Sequence, residues 1–144
     1  MQLQENAALT NDALAELAGL SSSAVHRRVR RLEEAGGIER HIAIIDPAAV
    51  GQPASFLVSV EVERERADLV NRLRTWFRNE PAVQQAYYVT GTADYVLIVV
   101  ARDIQEFDAL MSEMMAANPN IRRFTTNVVM SAIKRGLMVP VDEG

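Results

Sequence analysis

Four arginines and one histidine lie within six consecutive positions of the stretch SSSAVHRRVRR, which begins at Ser21. Basic side chains bind phosphate oxygens and the edges of bases, and small residues such as serine let a helix end approach a duplex closely. The whole chain of 144 residues nevertheless has a formal net charge of −4. The stretch therefore predicts a local site for a polyanion on an otherwise acidic protein.

The alternative is that these arginines form a solvated helix surface. Arg30 and Arg31 each have a glutamate three or four positions further along the chain, within reach of an ion pair. Arg27 and Arg28 have no acidic residue at these spacings in either direction. We favour DNA as the partner of these two charges.

The same helix has apolar residues at i, i+4 and i+7, which predict that its buried face consists of Val25, Val29 and Leu32.

Two short helices joined by a glycine turn must position the basic stretch. The segment TNDALAELA predicts a helix that Thr10 or Asn11 caps and Gly19 ends, and Ser21 is expected to cap the second helix. This arrangement predicts a helix-turn-helix, in which the second helix enters the major groove of double-stranded DNA. The apolar side of the first helix is predicted to hold Leu14, Leu17 and Ala18. The predicted DNA-binding residues are Ser21, Ser22, Ser23, His26, Arg27, Arg28, Arg30 and Arg31.

The rest of the chain follows a linker rich in proline and glycine, and we expect residues 1–50 and residues 51–144 to form separate domains. The second domain is predicted to begin with a strand of alternating apolar residues, followed by a helix and a hairpin around TGTA. A helix capped by Asp103 and Glu106 and a long last strand over IRRFTTNVVMSAIK are predicted to complete it. The order β-α-β-β-α-β predicts a ferredoxin-like domain, and the fold class is α+β. The helix that Asp103 caps is predicted to face the core with Ile104, Phe107, Leu110, Met111 and Met114.

The composition excludes several classes of function. The chain has no cysteine, so disulfides, zinc-thiolate sites and thiol catalysis are excluded. No glycine loop for phosphate and no metal-ligand spacing of histidine and carboxylate is present, so we expect no cofactor, no metal and no catalytic residue. No apolar run approaches the roughly 20 residues of a spanning helix, and the start has no signal-peptide features, which predicts a cytoplasmic protein without a membrane partner.

The run YVLIVV predicts a strand that is buried on both faces, which in a small open sheet requires cover from a second subunit. We therefore expect a homodimer. Two-fold symmetry would present two recognition helices to a pseudo-palindromic DNA site.

The segments GLSSSAVHRRVRRLEEAG, VTGTADYVLIVVARD and TNVVMSAIK resemble the Lrp/AsnC family of bacterial and archaeal transcription regulators, and the resemblance covers nearly the whole chain. It implies an N-terminal DNA-binding domain and a C-terminal domain that forms dimers and higher oligomers such as octamers. It also implies an amino-acid effector, bound where subunits meet. The residues that match this effector site are Tyr88, Thr90, Gly91, Thr92 and Asp94, with Ile104, Asn127 and Val128 nearby.

The effector residues have a second interpretation. Asp94 could accept from an α-ammonium group while hydroxyl groups and hairpin N–H groups hold a carboxylate. Equally, Gly91 could simply supply the turn, with Asp94 as its local cap. The sequence leaves these alternatives open.

The chain departs from the family pattern near its start. Family members usually carry a further helix upstream of LQENAALT. In addition, Gly37 stands where a larger apolar residue is common in the family, and His41 stands where tyrosine is usual. These departures motivate a second hypothesis, a ligand-binding oligomer of the same family with impaired DNA binding. A third hypothesis is an enzyme, because siroheme decarboxylases resemble this family.

Overall fold

The computed structural model describes residues 2–63 and 67–141, which divide into two compact units. The first unit extends to Ile44 and includes the C-terminal segment from Lys134, and the second unit is Ile45–Ile133. The helices of the first unit are α1 (Gln2–Glu5), α2 (Asn11–Ala18) and α3 (Ser22–Glu34). After a 3-10 turn at Ala48–Val50, the second unit contains β1 (Ala54–Val62), α4 (Ala67–Asn79), β2 (Val83–Tyr88), β3 (Tyr95–Ala101), α5 (Ile104–Ala117) and β4 (Ile121–Val128).

The predicted helix-turn-helix is present, and side-chain caps define its ends. The Thr10 hydroxyl accepts a hydrogen bond from the N–H of Ala13, and the Ser21 hydroxyl accepts one from Ala24. Gly19 ends α2 with φ of 64°, a left-handed conformation that glycine adopts at little steric cost. These local signals fix where both helices begin and where the first one ends.

The core of the first unit is small, which corrects two sequence predictions. Leu14, Ala15 and Val25 are buried, and Leu3, Leu9, Leu20 and Val29 pack around them. Leu17 and Leu32, predicted to face inward, are 59% and 50% exposed, and Ala18 is exposed as well. The reason is the limited length of the contact between α2 and α3. It covers the first turns of α3, so burial decreases along that helix from Val25 through Val29 to Leu32.

The second unit has the predicted ferredoxin-like order. Its strands form one antiparallel sheet in the order β2-β3-β1-β4, with β1 paired to both β3 and β4. Alternate side chains of the strands pack with α4 and α5 into one core, in which the rings of Phe56 and Phe107 stack at 3.9 Å. Met111 and Met114 are buried there, as core-filling residues.

Two predicted features of this unit are wrong. The last strand ends at Val128, which pairs with Phe56, instead of continuing to Lys134. One further hydrogen bond follows, from the Val129 N–H to the carbonyl oxygen of Ser55, and β1 itself begins only one residue earlier, at Ala54. Ile104 is 53% exposed instead of inward. It is the first residue of α5, directly after the Asp103 cap, where the helix has not yet passed over the sheet.

The hairpin between β2 and β3 is present, and Asp94 fastens it to the central strand. Gly91 has φ of 118°, which a side chain would disfavour. Beyond the last β1–β3 pair, the Asp94 N–H donates to the carbonyl oxygen of Val60 at 2.9 Å. The buried Asp94 carboxylate accepts from the N–H of Val62, also at 2.9 Å. The side chain therefore extends the backbone ladder by one residue.

We expect Asp94→Ala to lower the free energy of unfolding by about 1–3 kcal/mol, because it removes a charge-assisted acceptor and leaves the Val62 N–H unpaired. Chemical denaturation measures this difference. Asp108→Ala, on the exposed side of α5, is the matched control and should change stability little. Equal stabilities of the two variants would contradict the assigned role of Asp94.

Candidate functional site

The exposed side of α3 carries a row of polar and basic residues opposite the buried Val25. Ser23, Arg27 and Arg31 are spaced at i, i+4 and i+8, so they lie along one line of the helix surface. All three are exposed, and so is Arg28 beside them. We call Ser23, Arg27, Arg28 and Arg31 the basic face of α3.

The arginines of α3 differ in whether they have an internal partner. The guanidinium Nε of Arg30 donates to the carboxylate of Glu34 at 2.8 Å, so the sequence prediction of a local ion pair is confirmed for this residue. Within the ranges that the structure describes, Arg27, Arg28 and Arg31 have no ion pair and no side-chain hydrogen bond. The sequence predicted this for Arg27 and Arg28, whereas it offered Glu34 to Arg31.

The three serines before the arginines have different surroundings. The Ser21 hydroxyl caps α3 and lies 3.2 Å from the Ser23 hydroxyl. The Ser22 hydroxyl donates a hydrogen bond to the carboxylate of Asp12, which links the starts of α2 and α3. Ser21 thus caps α3 and Ser22 links it to α2, while Ser23 is exposed at the start of the basic face.

His26 makes a second link between the two helices. The amide nitrogen of Asn11 lies 3.3 Å from His26 Nδ1. This contact joins the start of α2 to the first turns of α3. The His26 side chain is otherwise exposed and adjoins Arg27 of the basic face.

The departures from the family pattern have defined contacts. The Gly37 N–H donates to the carbonyl oxygen of Leu32 at 2.8 Å, and a Cβ at Gly37 would lie 3.4 Å from that oxygen. His41 Nε2 lies 3.1 Å from the carboxylate of Glu33. At the start of the chain, Leu3 of the four-residue α1 packs against the small core of the first unit.

The predicted effector residues fall into two groups within one chain. Tyr88, Thr90, Gly91, Thr92 and Asp94 lie at the hairpin, next to Val60 of β1. We call this the hairpin group. Ile104, Asn127 and Val128 lie at the other end of the sheet, and we call them the distal group.

The strand register separates these groups. Tyr88 lies on β2, at one edge of the sheet, and pairs with Tyr95, which in turn pairs with Val60. Asn127 lies on β4, at the opposite edge, and pairs with Leu57. Tyr88 and Asn127 are therefore offset by three residues along the strands and by three strand spacings across the sheet, and each offset is about 10 Å or more. A single chain therefore does not bring the two groups together.

Most of the hairpin group is exposed, with one exception. Tyr88 is 60% exposed and the residues of the turn are exposed as well, but Asp94 is 7% exposed and bonded to Val62. Asp94 thus has a structural partner on the neighbouring strand, a role that neither of the sequence interpretations contained. The sequence holds no signal for it, because Val62 is 32 residues away.

An arginine on α4 was also missed by sequence reasoning. Arg74 Nε donates to the Tyr95 hydroxyl at 3.0 Å, and its Cζ lies 5.3 Å from the centre of the Tyr88 ring. The rings of Tyr88 and Tyr95 are 5.3 Å apart. Arg74, Tyr88 and Tyr95 form what we call the arginine–tyrosine cluster. Only the packing of α4 on the sheet brings these residues together.

The described ranges contain no group of three histidine, aspartate or glutamate side chains that could hold a metal ion. None of the helices in those ranges has the length and the apolar composition needed to cross a membrane.

Two family sequence models match the chain in the two regions described above. The family described as Lrp/AsnC ligand binding domain matches residues 55–139. The family described as winged helix-turn-helix DNA-binding matches residues 2–39.

Individual proteins match across nearly the full chain. The uncharacterized HTH-type transcriptional regulator y4tD of Sinorhizobium fredii is 42% identical over 140 residues, covering 97% of this chain and 83% of that protein. An AsnC family transcriptional regulator from Agrobacterium tumefaciens superposes with a TM-score of 0.90 at 32% identity, covering 96% of this chain and 90% of that one. A transcriptional regulator from Neisseria meningitidis, solved as a complex with L-Met, superposes with a TM-score of 0.91 at 27% identity and the same two coverages. The chain therefore belongs to the Lrp/AsnC family of transcriptional regulators.

Proposed function

We propose that the protein recognises DNA through the basic face of α3 and regulates transcription in response to an amino acid. The observation that carries the first part is a set of three arginines on one exposed helix face that have no partner among the described residues. An arginine reads guanine through two parallel hydrogen bonds or grips phosphate, and it needs an unoccupied guanidinium for either contact. We assign these contacts to Arg27, Arg28 and Arg31, with Ser23 and His26 as additional donors.

Three of the residues that the sequence predicts to bind DNA already have partners within the described part of the chain. Arg30 is held by Glu34, Ser21 caps α3, and Ser22 links α3 to α2. We therefore propose that these three residues support the recognition helix and contribute less to DNA contact than Arg27 does. The ligand-binding oligomer with impaired DNA binding remains the alternative, and the experiment on Arg27 below distinguishes the two.

We propose that the open face of the sheet forms a homodimer. The face opposite α4 and α5 presents apolar side chains at its centre, where Leu57 pairs with Ile98 and is 38% exposed. Val96 and Tyr87 continue this surface on the next strands, and Tyr87 is 50% exposed. An apolar sheet face of this kind is normally covered, and a second copy of the chain supplies a self-complementary cover. A dimer carries two recognition helices.

We propose that the amino-acid site forms between subunits of a larger assembly such as an octamer. The hairpin group of one copy would meet the distal group of another, since one chain holds them apart. Backbone N–H groups and the hydroxyls of Thr90 and Thr92 suit a carboxylate. The relative from Neisseria meningitidis, solved with L-Met, supports an amino acid as the ligand class.

We further propose that the protein is not an enzyme and acts in the cytoplasm, where its DNA target is. The chain has two histidines and no cysteine. Of the histidines, His26 contacts Asn11 and His41 pairs with Glu33. Neither histidine is close to the hairpin group in sequence, so general acid–base catalysis at the hairpin would lack histidine, the residue that most often performs it. Tetrapyrrole absorbance in the purified protein would contradict this part of the proposal.

We expect Arg27→Ala to weaken binding to the protein's own upstream DNA by about 10-fold, and to lower the salt slope by about one if Arg27 contacts phosphate. Arg30→Ala should have a smaller effect, because Glu34 already holds Arg30. Fluorescence anisotropy at several salt concentrations measures both, with Arg78→Ala on α4 as the control. If the unmodified protein shows no binding that resists competitor DNA, the alternative of impaired DNA binding is favoured.

Ile98→Glu should convert the homodimer into monomers at micromolar concentration, because a carboxylate at the centre of the apolar face would be buried without a partner. Ser112→Glu, on the exposed side of α5, is the control with the same change in charge. Sedimentation velocity measures the mass of both variants. An Ile98→Glu protein that stays dimeric would exclude this face as the interface.

A complementation experiment tests whether the effector site is shared. Thr90→Val/Thr92→Val should damage the hairpin group and Ile104→Glu the distal group, so that each variant alone loses amino-acid binding. Co-expressed in equal amounts, the two should regain about one quarter of the wild-type sites, since each site draws its halves at random from two subunits. Isothermal titration calorimetry counts the sites. No recovery in mixed oligomers would indicate a site within one chain.

A further inference from the structure

In the arginine–tyrosine cluster, beside the hairpin group, only one nitrogen of the Arg74 guanidinium makes a hydrogen bond to a described residue. Arg74 is half-buried, and its Nε is committed to the Tyr95 hydroxyl at 3.0 Å. Its guanidinium plane is positioned near two rings, with Cζ at 5.3 Å from the Tyr88 centre and 6.0 Å from the Tyr95 centre. Three contacts therefore fix the position of one guanidinium group.

The outer edge of this guanidinium has no partner among the residues that the structure describes. The two terminal nitrogens make no hydrogen bond or ion pair there. The residues three and four positions away on α4 are Val70, Asn71, Phe77 and Arg78, so the helix offers no carboxylate either. The terminal N–H groups are thus available to an anion from outside the chain.

We propose that Arg74 binds the carboxylate of the amino-acid effector. With Nε committed to Tyr95, the edge formed by the two terminal nitrogens is the one left for two parallel hydrogen bonds to a carboxylate. Tyr95 acts as a positioning residue, and the Tyr88 ring forms a side wall of the site. The inference rests on the proposed effector function, to which it adds Arg74 as a charged donor that binds the carboxylate together with the hairpin N–H groups and hydroxyls.

The cluster is continuous with the hairpin group. Tyr88 is itself a predicted effector residue and is followed closely by the turn, while Tyr95 directly follows Asp94. Asp94 fastens the start of β3 to Val60 and Val62. The residues that hold Arg74 are thereby fixed to the central strand, which gives the site a rigid support.

The test compares L-methionine with L-methioninol, in which the carboxylate is replaced by an alcohol. A thermal-shift screen of the twenty standard amino acids first establishes binding by the wild-type full-length protein. If another amino acid binds better than L-methionine, that amino acid and its amino alcohol replace the pair. Isothermal titration calorimetry then measures both ligands on the wild type, on Arg74→Gln, and on the control Arg78→Gln, one turn further along α4.

We expect Arg74→Gln to weaken L-methionine binding by about 10-fold or more, as for loss of a hydrogen bond to a charged group. The preference of the wild type for L-methionine over L-methioninol should nearly disappear in Arg74→Gln and persist in Arg78→Gln. Retained DNA binding and an unchanged oligomeric state show that Arg74→Gln is folded. Arg74→Lys, which keeps the charge without the planar edge, should recover part of the preference.

Three results would overturn the inference, each recognisably different. If Arg74→Gln retains the wild-type preference for the carboxylate, Arg74 does not bind it, although the effector function stands. If Arg74→Gln instead changes the oligomeric state and leaves L-methionine affinity unchanged, the anion is a carboxylate of another subunit. If no amino acid binds the wild-type protein, the proposed effector function fails together with this inference.

Discussion

The pairing of β1 with strands on both sides is the constraint on which the second unit depends. It aligns β3 so that Tyr95 and the hairpin meet Val60, and it aligns β4 so that Asn127 meets Leu57. The sequence order of an antiparallel sheet thus sends the hairpin group and the distal group to opposite ends. A one-residue slip would also turn Phe56, Val58 and Val60 out of the core, so burial holds this register firmly.

The same register decides which surfaces are available. Residues of β1 that alternate with the core face the side without helices, and so do their partners on β3. The consequence is a sheet with one face packed by α4 and α5 and one face with apolar residues such as Leu57 and Ile98 at its centre. Folding of a single chain therefore uses one face of the sheet, and the proposed homodimer would use the other.

Local signals made most of the fold predictable from the sequence. Thr10, Gly19, Ser21 and the Asp103 and Glu106 pair act within a few residues of themselves, so their roles follow from residue type and spacing. Alternation over residues 56–62 fixed a strand and its buried side in the same way.

The errors arose where a neighbour in space decides the outcome. Leu17 and Leu32 have the right type and spacing for burial, but the contact between α2 and α3 is too short to cover them. The last strand ends at Val128 because β1, its partner, begins at Ala54 and leaves nothing for the residues beyond Val129 to pair with. For the candidate site, the basic face followed from the absence of acids near Arg27 and Arg28. By contrast, Asp94 and Arg74 have partners 32 and 21 residues away, which no local pattern encodes.

The proposed recognition of DNA by the basic face of α3 is compatible with an acidic protein. At physiological ionic strength the Debye length is about 8 Å, so carboxylates elsewhere on the surface contribute little to the potential at α3. The two acids on α3 itself are both engaged, and Asp12 of α2 accepts from Ser22 at the start of α3. Glu34 holds Arg30 at 2.8 Å, and Glu33 lies 3.1 Å from His41. Because these carboxylates contact Arg30 and His41, they leave Arg27, Arg28 and Arg31 unpaired within the described residues, and the net charge of −4 is compatible with the proposed recognition of DNA.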